Sequence, residues 1–168
     1  MADPQEYRVA LLVLSDKAAS GARADECLPA MRSALPPGCA VVKEALLADD
    51  PDVLQATLQE LADREQLDGI FTSGGTGLGP RDTTPQATLA VADYEVPGIG
   101  EAMRARSAAA VPQAILSRAV AVVRKKTLII NLPGSPTAVR ETLGVIAPVL
   151  GHAFDVLRGH VGEHAASS

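Results

Sequence analysis

Residues 67–85 read LDGIFTSGGTGLGPRDTTP. Leu67–Ser73 is a short apolar run of the kind that forms a strand. Gly74–Thr83 then holds four glycines within six positions (74–79), and a helix is expected to start near Thr84 with Pro85 in its first turn. A strand that passes into a helix through a glycine loop is the unit from which parallel sheets are built. The loop leaves the C-terminal end of that strand, which is where open parallel sheets bind their ligands.

The same alternation extends in both directions. Val9–Leu14 (VALLVL) is apolar at every position, as a strand covered on both faces would be. Ala40–Val42, continuing toward Leu47, and Leu128–Leu132 (LIINL) read as further strands, and Ala119–Arg124 is placed to pair with the latter through a turn at Lys125-Lys126. Helical periodicity covers Asp25–Ala34 and Pro51–Glu65, where Val53, Leu54, Leu58 and Leu61 share a face. Asp49 or Asp50 would cap the second of these, with Pro51 at its first position. Later helices are expected over Pro85–Ala92, Ile99–Ala109 and Thr137–Leu157. The expected fold is α/β: a three-layer α/β/α sandwich around a mostly parallel central sheet. With no repeat or linker, the 168 residues form one domain, its core over 6–158 and a flexible tail over 159–168.

Composition narrows the function. Aromatic residues are 2% of the chain and the formal net charge is −5, so neither stacking platforms nor a basic phosphate-binding face is available for nucleic acid. No apolar stretch reaches the roughly 20 residues of a membrane-spanning helix, and the first residues resemble neither a signal nor a transit peptide. A cytoplasmic location is expected. Cys27 and Cys39 lack CxxC spacing and read as reduced, buried thiols.

The glycines allow several backbone N–H groups to converge on an anion, and the helix start beyond them adds a positive dipole end. The loop lacks the Gly-Lys-Ser/Thr ending of a P-loop and the fingerprint of dinucleotide folds. A plain surface turn therefore stands beside a phosphate site as an explanation. Arg81 could complete a phosphate clamp or be a solvated loop cation. Asp82 would repel an anion unless a cation such as Mg²⁺ stood between them, or it could simply cap the next helix. LLADDPD (46–52) brings Asp49, Asp50 and Asp52 to the same rim of the sheet.

TSGGTGLGPRDTTPQAT (72–88), VADYEVPGIGEAMRARS (91–107), AILSRAV (114–120) and LIINLPGSPTAVRE (128–141) occur in that order. Together they strongly resemble the molybdopterin adenylyltransferase family of molybdenum-cofactor biosynthesis, which includes bacterial Mog-type and MoaB-type proteins and the G domains of plant Cnx and animal gephyrin. The resemblance runs from VLSDKAASG (13–21) to the final helix. It implies a homotrimer that uses ATP and Mg²⁺ to adenylylate the terminal phosphate of molybdopterin, releasing diphosphate, with hand-over to a molybdenum-insertion protein. By the same resemblance Asp49 and Asp82 are the catalytic, metal-holding acids, and Gly74, Gly75, Thr76 and Gly77 line the nucleotide site; the phosphate clamp read for Arg81 would adjoin them. Ser117, Asn131, Pro133, Gly134, Ser15 and Asp16 correspond to positions around the pterin. Ala48 stands where proline is common before the acidic pair, which leaves Asp49 and Asp50 both open as the metal-facing residue. Some relatives of this fold bind pterin or act as scaffolds without adenylylation, which is the rival reading.

The implied chemistry needs no strong base. A phosphate monoester has a second pKa of about 6 and arrives largely dianionic at neutral pH. His152, His160 and His164 lie in the last helix or tail, remote from these motifs, and read as exposed rather than as a metal centre. Arg104, Arg106 and Arg118 could neutralise substrate phosphates, while Arg104 and Arg106 fit a solvated helix face equally well.

Overall fold

The computed structural model describes residues 6–160. Six strands form one sheet: β1 (Tyr7–Leu14), β2 (Cys39–Leu47), β3 (Gly69–Ser73), β4 (Tyr94–Glu95), β5 (Ala121–Arg124) and β6 (Thr127–Leu132), in the order β2-β1-β3-β6-β5-β4. β2, β1, β3 and β6 run parallel, while β5 is antiparallel to β6 and to β4. The hairpin between β5 and β6 turns at Lys125-Lys126 as expected, with Lys125 at φ 53°.

The unbroken apolar run of β1 has two destinations. Val9, Leu11 and Val13 enter a core with Met31, Phe71, Ile130, Leu143 and Phe154. Ala10, Leu12 and Leu14 point the other way, toward Leu54, Leu58, Ile70 and Ile129. Successive side chains of a strand face opposite sides, so both faces must be apolar when helices cover both. The first face is covered by α2 (Cys27–Ala34), α5 (Pro97–Ala108) and α6 (Pro136–Arg158), and the second by α3 (Pro51–Gln59) and α4 (Thr84–Ala90). The three-layer sandwich is the one the sequence implies. Its additions are the short α1 (Asp16–Ala19), the edge strand β4 and a 3₁₀ turn over Pro112–Leu116.

Helix starts follow local chemistry. Asp50 accepts from the N–H groups of Asp52 and Val53 at 2.9 and 3.2 Å, and Ser135 Oγ accepts from Ala138 N at 3.2 Å. Asp25, expected inside α2, stands just before it and accepts from Cys27 N and Leu28 N at 3.0 and 2.9 Å. The helix expected over Pro51–Glu65 stays α-helical only to Gln59 and finishes as a π-helical turn over Glu60–Arg64. The wider turn buries Leu61 and Ala62 and presents Asp63 to Arg124. Gly159 ends α6 at φ 84°, and the tail expected beyond it lies, from residue 161 on, outside the described residues.

From β1 the chain moves outward to β2, then crosses back over β1 to reach β3. The C-terminal ends of β1 and β3 are therefore where the sheet's winding reverses, and a crevice opens there.

Candidate active site

Ser15, Asp49, Gly74, Gly75, Asp82 and Gly134 wall a cavity of about 660 Å³ at this crevice, together with Cys27 and the start of α2. The ends of β1 and β2 hold each other reciprocally. Asp49 N donates to Asp16 Oδ1 at 2.9 Å, and Asp16 N donates to Asp49 Oδ2 at 3.2 Å. Arg81 completes the clasp by donating from Nε to Asp16 Oδ2 at 2.7 Å and from Nη2 to Asp49 O at 3.2 Å. Asp49 Oδ1 has no partner among the described residues and is left toward the cavity. Burial pushes the Asp49 carboxyl above its ordinary range, helped by the charges of Asp16 and Asp82 and opposed by the hydrogen bond from Asp16 N–H and by the Arg81 charge. The Arg81 guanidinium holds Asp16 below the carboxylate range.

This separates roles that were open in the sequence. Asp50 is the helix cap and Asp49 faces the cavity. Asp16 does not line either of the cavities at this rim; both its oxygens are engaged by Arg81 and Asp49 N. Ser15 lines the acidic cavity while its Oγ caps α1 by accepting from Ala18 N at 3.2 Å. Arg81 is an ion-pair partner of Asp16 in this state.

The glycines serve internal packing as well as access. Gly74 and Gly75 have φ of 99° and 70°, a region L side chains rarely enter. A Cβ on Gly74 would collide with the Leu14 carbonyl oxygen, and one on Gly75 with Thr84 Oγ1. At Gly77 and Gly79 a Cβ would lie 2.9 and 2.8 Å from Asp82 Oδ2. The loop folds around that carboxylate, which accepts from Gly79 N at 2.9 Å and is not the cap of α4. The amides of Gly75, Thr76 and Gly77 donate to no acceptor among the described residues and are open to an outside one. At the start of α4, which is seven residues long, Thr84 N donates to Gly75 O.

A second cavity of about 440 Å³ lies on the other side of the loop, largely apolar, walled by Thr76, Gly77, Met103, Arg104, Ser117 and Pro133. Ser135 lines both cavities. Thr76 and Gly77, grouped in the sequence with Gly74 and Gly75, thus face a different space from them. Asn131 lies apart from both cavities. It is fully buried, donates from Nδ2 to Thr72 Oγ1 and Thr88 Oγ1 at 3.0 Å each, and accepts from Val120 N at 3.3 Å. Such an amide fixes β6 against α4 and touches neither cavity.

Two carboxylates with one unpartnered oxygen each, beside undonated amides, suit Mg²⁺, which takes one or two protein carboxylates and completes its shell with phosphate and water. Among the described residues no group of three or more His, Cys, Asp or Glu is placed to hold a metal alone. His164 lies outside the described residues. Cys27 is buried and Cys39 half-buried; burial raises both thiols, Cys39 to about 11. The sequence missed Ser73, whose Oγ donates to Pro133 O at 2.7 Å, and Ser135; the Ser-Pro step opening α6 was the available signal for the latter.

The family profile described as "Probable molybdopterin binding domain" matches residues 10–152. The molybdopterin adenylyltransferase of Haemophilus influenzae is 45% identical over 139 residues, which cover 81% of this chain and 71% of its own. The protein of that name in Helicobacter pylori strain J99 is 38% identical over 159 residues, covering 93% and 90%. Among solved structures, the molybdopterin biosynthesis enzyme MoaB of Thermus thermophilus has a TM-score of 0.86 at 47% identity, covering 91% of this chain and 97% of that one. The tungsten cofactor synthesizing protein MoaB of Pyrococcus furiosus reaches 0.84 at 29% identity, covering 93% and 99%.

Proposed function

The chain belongs to the molybdopterin-binding domain family of molybdenum-cofactor biosynthesis, and from that premise we propose that it is a molybdopterin adenylyltransferase, transferring AMP from ATP to the terminal phosphate of molybdopterin. A phosphate oxygen of the pterin attacks the α-phosphorus of ATP, the bond to the β-phosphate bridging oxygen breaks, and diphosphate leaves with that electron pair. No protein base is required, because the attacking phosphate is already ionised. The difficulty is to bring two polyanions together and to stabilise charge on the leaving group.

The observation that carries the reading is the arrangement of Asp49, Asp82 and the undonated loop amides along one rim, with a second, apolar cavity adjoining at Ser135. The amides of Gly75, Thr76 and Gly77 would hold phosphate oxygens. Ser117, Pro133 and Thr76 would meet the pterin, and Ser15, Gly74 and Gly134 would border the phosphates. Asp49 and Asp82 would hold Mg²⁺, which when bound supplies charge neutralisation between the phosphates. The family resemblance adds a cytoplasmic homotrimer that hands its product to a molybdenum-insertion protein; a light-scattering mass near 17.3 kDa would overturn the trimer.

The test is diphosphate release from purified protein with molybdopterin, ATP and Mg²⁺. Turnover is expected, with losses of roughly 100-fold or more in kcat for Asp49→Ala and for Asp82→Ala. Full activity in both variants would sink the two-carboxylate assignment. Tight pterin binding by the unaltered protein without turnover would favour the scaffold reading instead.

A further inference from the structure

Arg118 makes three hydrogen bonds to a single loop. Its N–H donates to Thr76 O at 2.9 Å, its Nε to Gly77 O at 2.9 Å, and its Nη2 to Asp82 O. No carboxylate pairs with it among the described residues, and its half-buried fork meets two backbone carbonyls at opposite ends of one glycine-rich segment. An arginine acting by its charge alone would face a carboxylate or solvent. A planar guanidinium with donors in fixed directions can instead set the separation of two acceptors.

The geometry points to Arg118 as a positioning residue: its side chain clasps both ends of segment 77–82 to the wall of the apolar cavity and so fixes where the Asp82 carboxylate stands. That wall is itself braced. Arg104 Nη1 donates to Ser117 O at 3.3 Å and to Ala119 O at 2.8 Å, the residues flanking Arg118. Arg104 and Ser117 line the apolar cavity. A continuous chain of contacts therefore joins that cavity to Asp82, through Arg104, residues 117–119 and Arg118. On the opposite side Arg81 ties the same loop to Asp16 and Asp49. Without Arg118 the loop keeps that tether and loses its registration against the apolar wall.

The inference rests on the adenylyltransferase reading for its kinetic arm, and on structure alone for its second arm. In the full chain, Arg118→Ala should lower kcat by about 30- to 100-fold, the scale of loss that misplacing a reacting group by an ångström produces, with the KM for molybdopterin within about 3-fold. Added guanidinium should restore part of the kcat of Arg118→Ala and leave the unaltered protein unchanged. Arg118→Lys, which keeps the charge but not the fork, should recover little. Amide hydrogen exchange in residues 74–83 should rise in both variants while β1, β3 and β6 stay protected. An active unaltered protein whose Arg118→Ala variant keeps its kcat and loop protection would overturn the clasp, as would full recovery by lysine. A general rise in exchange without guanidinium rescue would make Arg118 merely structural and equally overturn it. If the unaltered protein does not adenylylate, the functional reading fails, and the exchange arm still decides whether Arg118 holds the loop.

Discussion

Asp49 and Asp50 are adjacent, chemically identical and differently employed. One oxygen of Asp50 binds the first two free N–H groups of α3, whereas Asp49 turns an unpartnered oxygen to the cavity. Asp50→Ala is therefore expected to cost about 1 kcal/mol in denaturant unfolding, the usual value of an N-cap, while diphosphate release stays within about 3-fold of the unaltered protein. A collapse of activity in that variant with stability intact would reverse the two assignments. The glycines show a similar division. Gly74 and Gly75 are needed for their backbone angles and for close approach to β1 and Thr84, whereas Gly77 and Gly79 make room for the carboxylate of Asp82.

At the scale of elements, the π-helical turn after α3 is tied to β5. Asp63 takes Arg124 Nε and Nη2 at 2.8 and 2.6 Å, and Lys125 adds a third cationic contact at 3.4 Å. The hydrogen bonds from Arg124 hold the Asp63 carboxyl below its ordinary range. A depressed pKa contributes stability above the unfolded value of about 3.9, and that contribution is lost as pH falls through the folded value. Asp63→Asn should therefore melt earlier than the unaltered protein at pH 7. The difference should narrow as pH drops below about 4. A gap that is constant from neutral to acid pH would mean that the pair contributes through packing alone. Helical periodicity over Pro51–Glu65 made the element legible, but the change of winding at Glu60 was not, and neither was the pairing of Asp63 in that turn with Arg124, 61 positions away.

Across the whole molecule, the two ends of the parallel sheet are specialised. The C-terminal rim carries the loop, both cavities and the acids. At the opposite end Asp68, 8% exposed, receives Arg158 Nε and Nη2 at 2.6 Å each and Arg8 N at 2.8 Å. Arg158 also lies 4.9 Å from the Tyr7 ring centre, and Tyr7 OH donates to Asp155 at 2.8 Å. This cluster fastens the end of α6 to the first strand. Asp68→Ala leaves Arg158 without its carboxylate and is expected to cost about 3 kcal/mol, a fall in Tm of roughly 10 °C. Because the cluster is at the far end of the sheet, kcat should be unchanged at temperatures where the variant is folded. A selective loss of kcat would show that the ends are coupled.

The layers and the location of the site were legible in the order of residues alone. The period-two burial of VALLVL, the strand–glycine–helix order of residues 67–85 and an aspartate cap ahead of Pro51 are local properties, and backbone sterics act on them within a few residues. The family was legible for the same reason, since its motifs are short and contiguous. What each polar group meets was settled by the folded packing and by nothing earlier. Only the fold shows that Thr72 and Thr88 close around Asn131, that Arg81 takes the carboxylate of Asp16, and that Arg118, read in the sequence as a possible partner of substrate phosphates, receives on its fork the loop ending at Asp82. Hydrogen bonds are directional and short-ranged, so partners 36 to 65 positions apart are chosen by the packing of the sheet and cannot be read from the order of the residues.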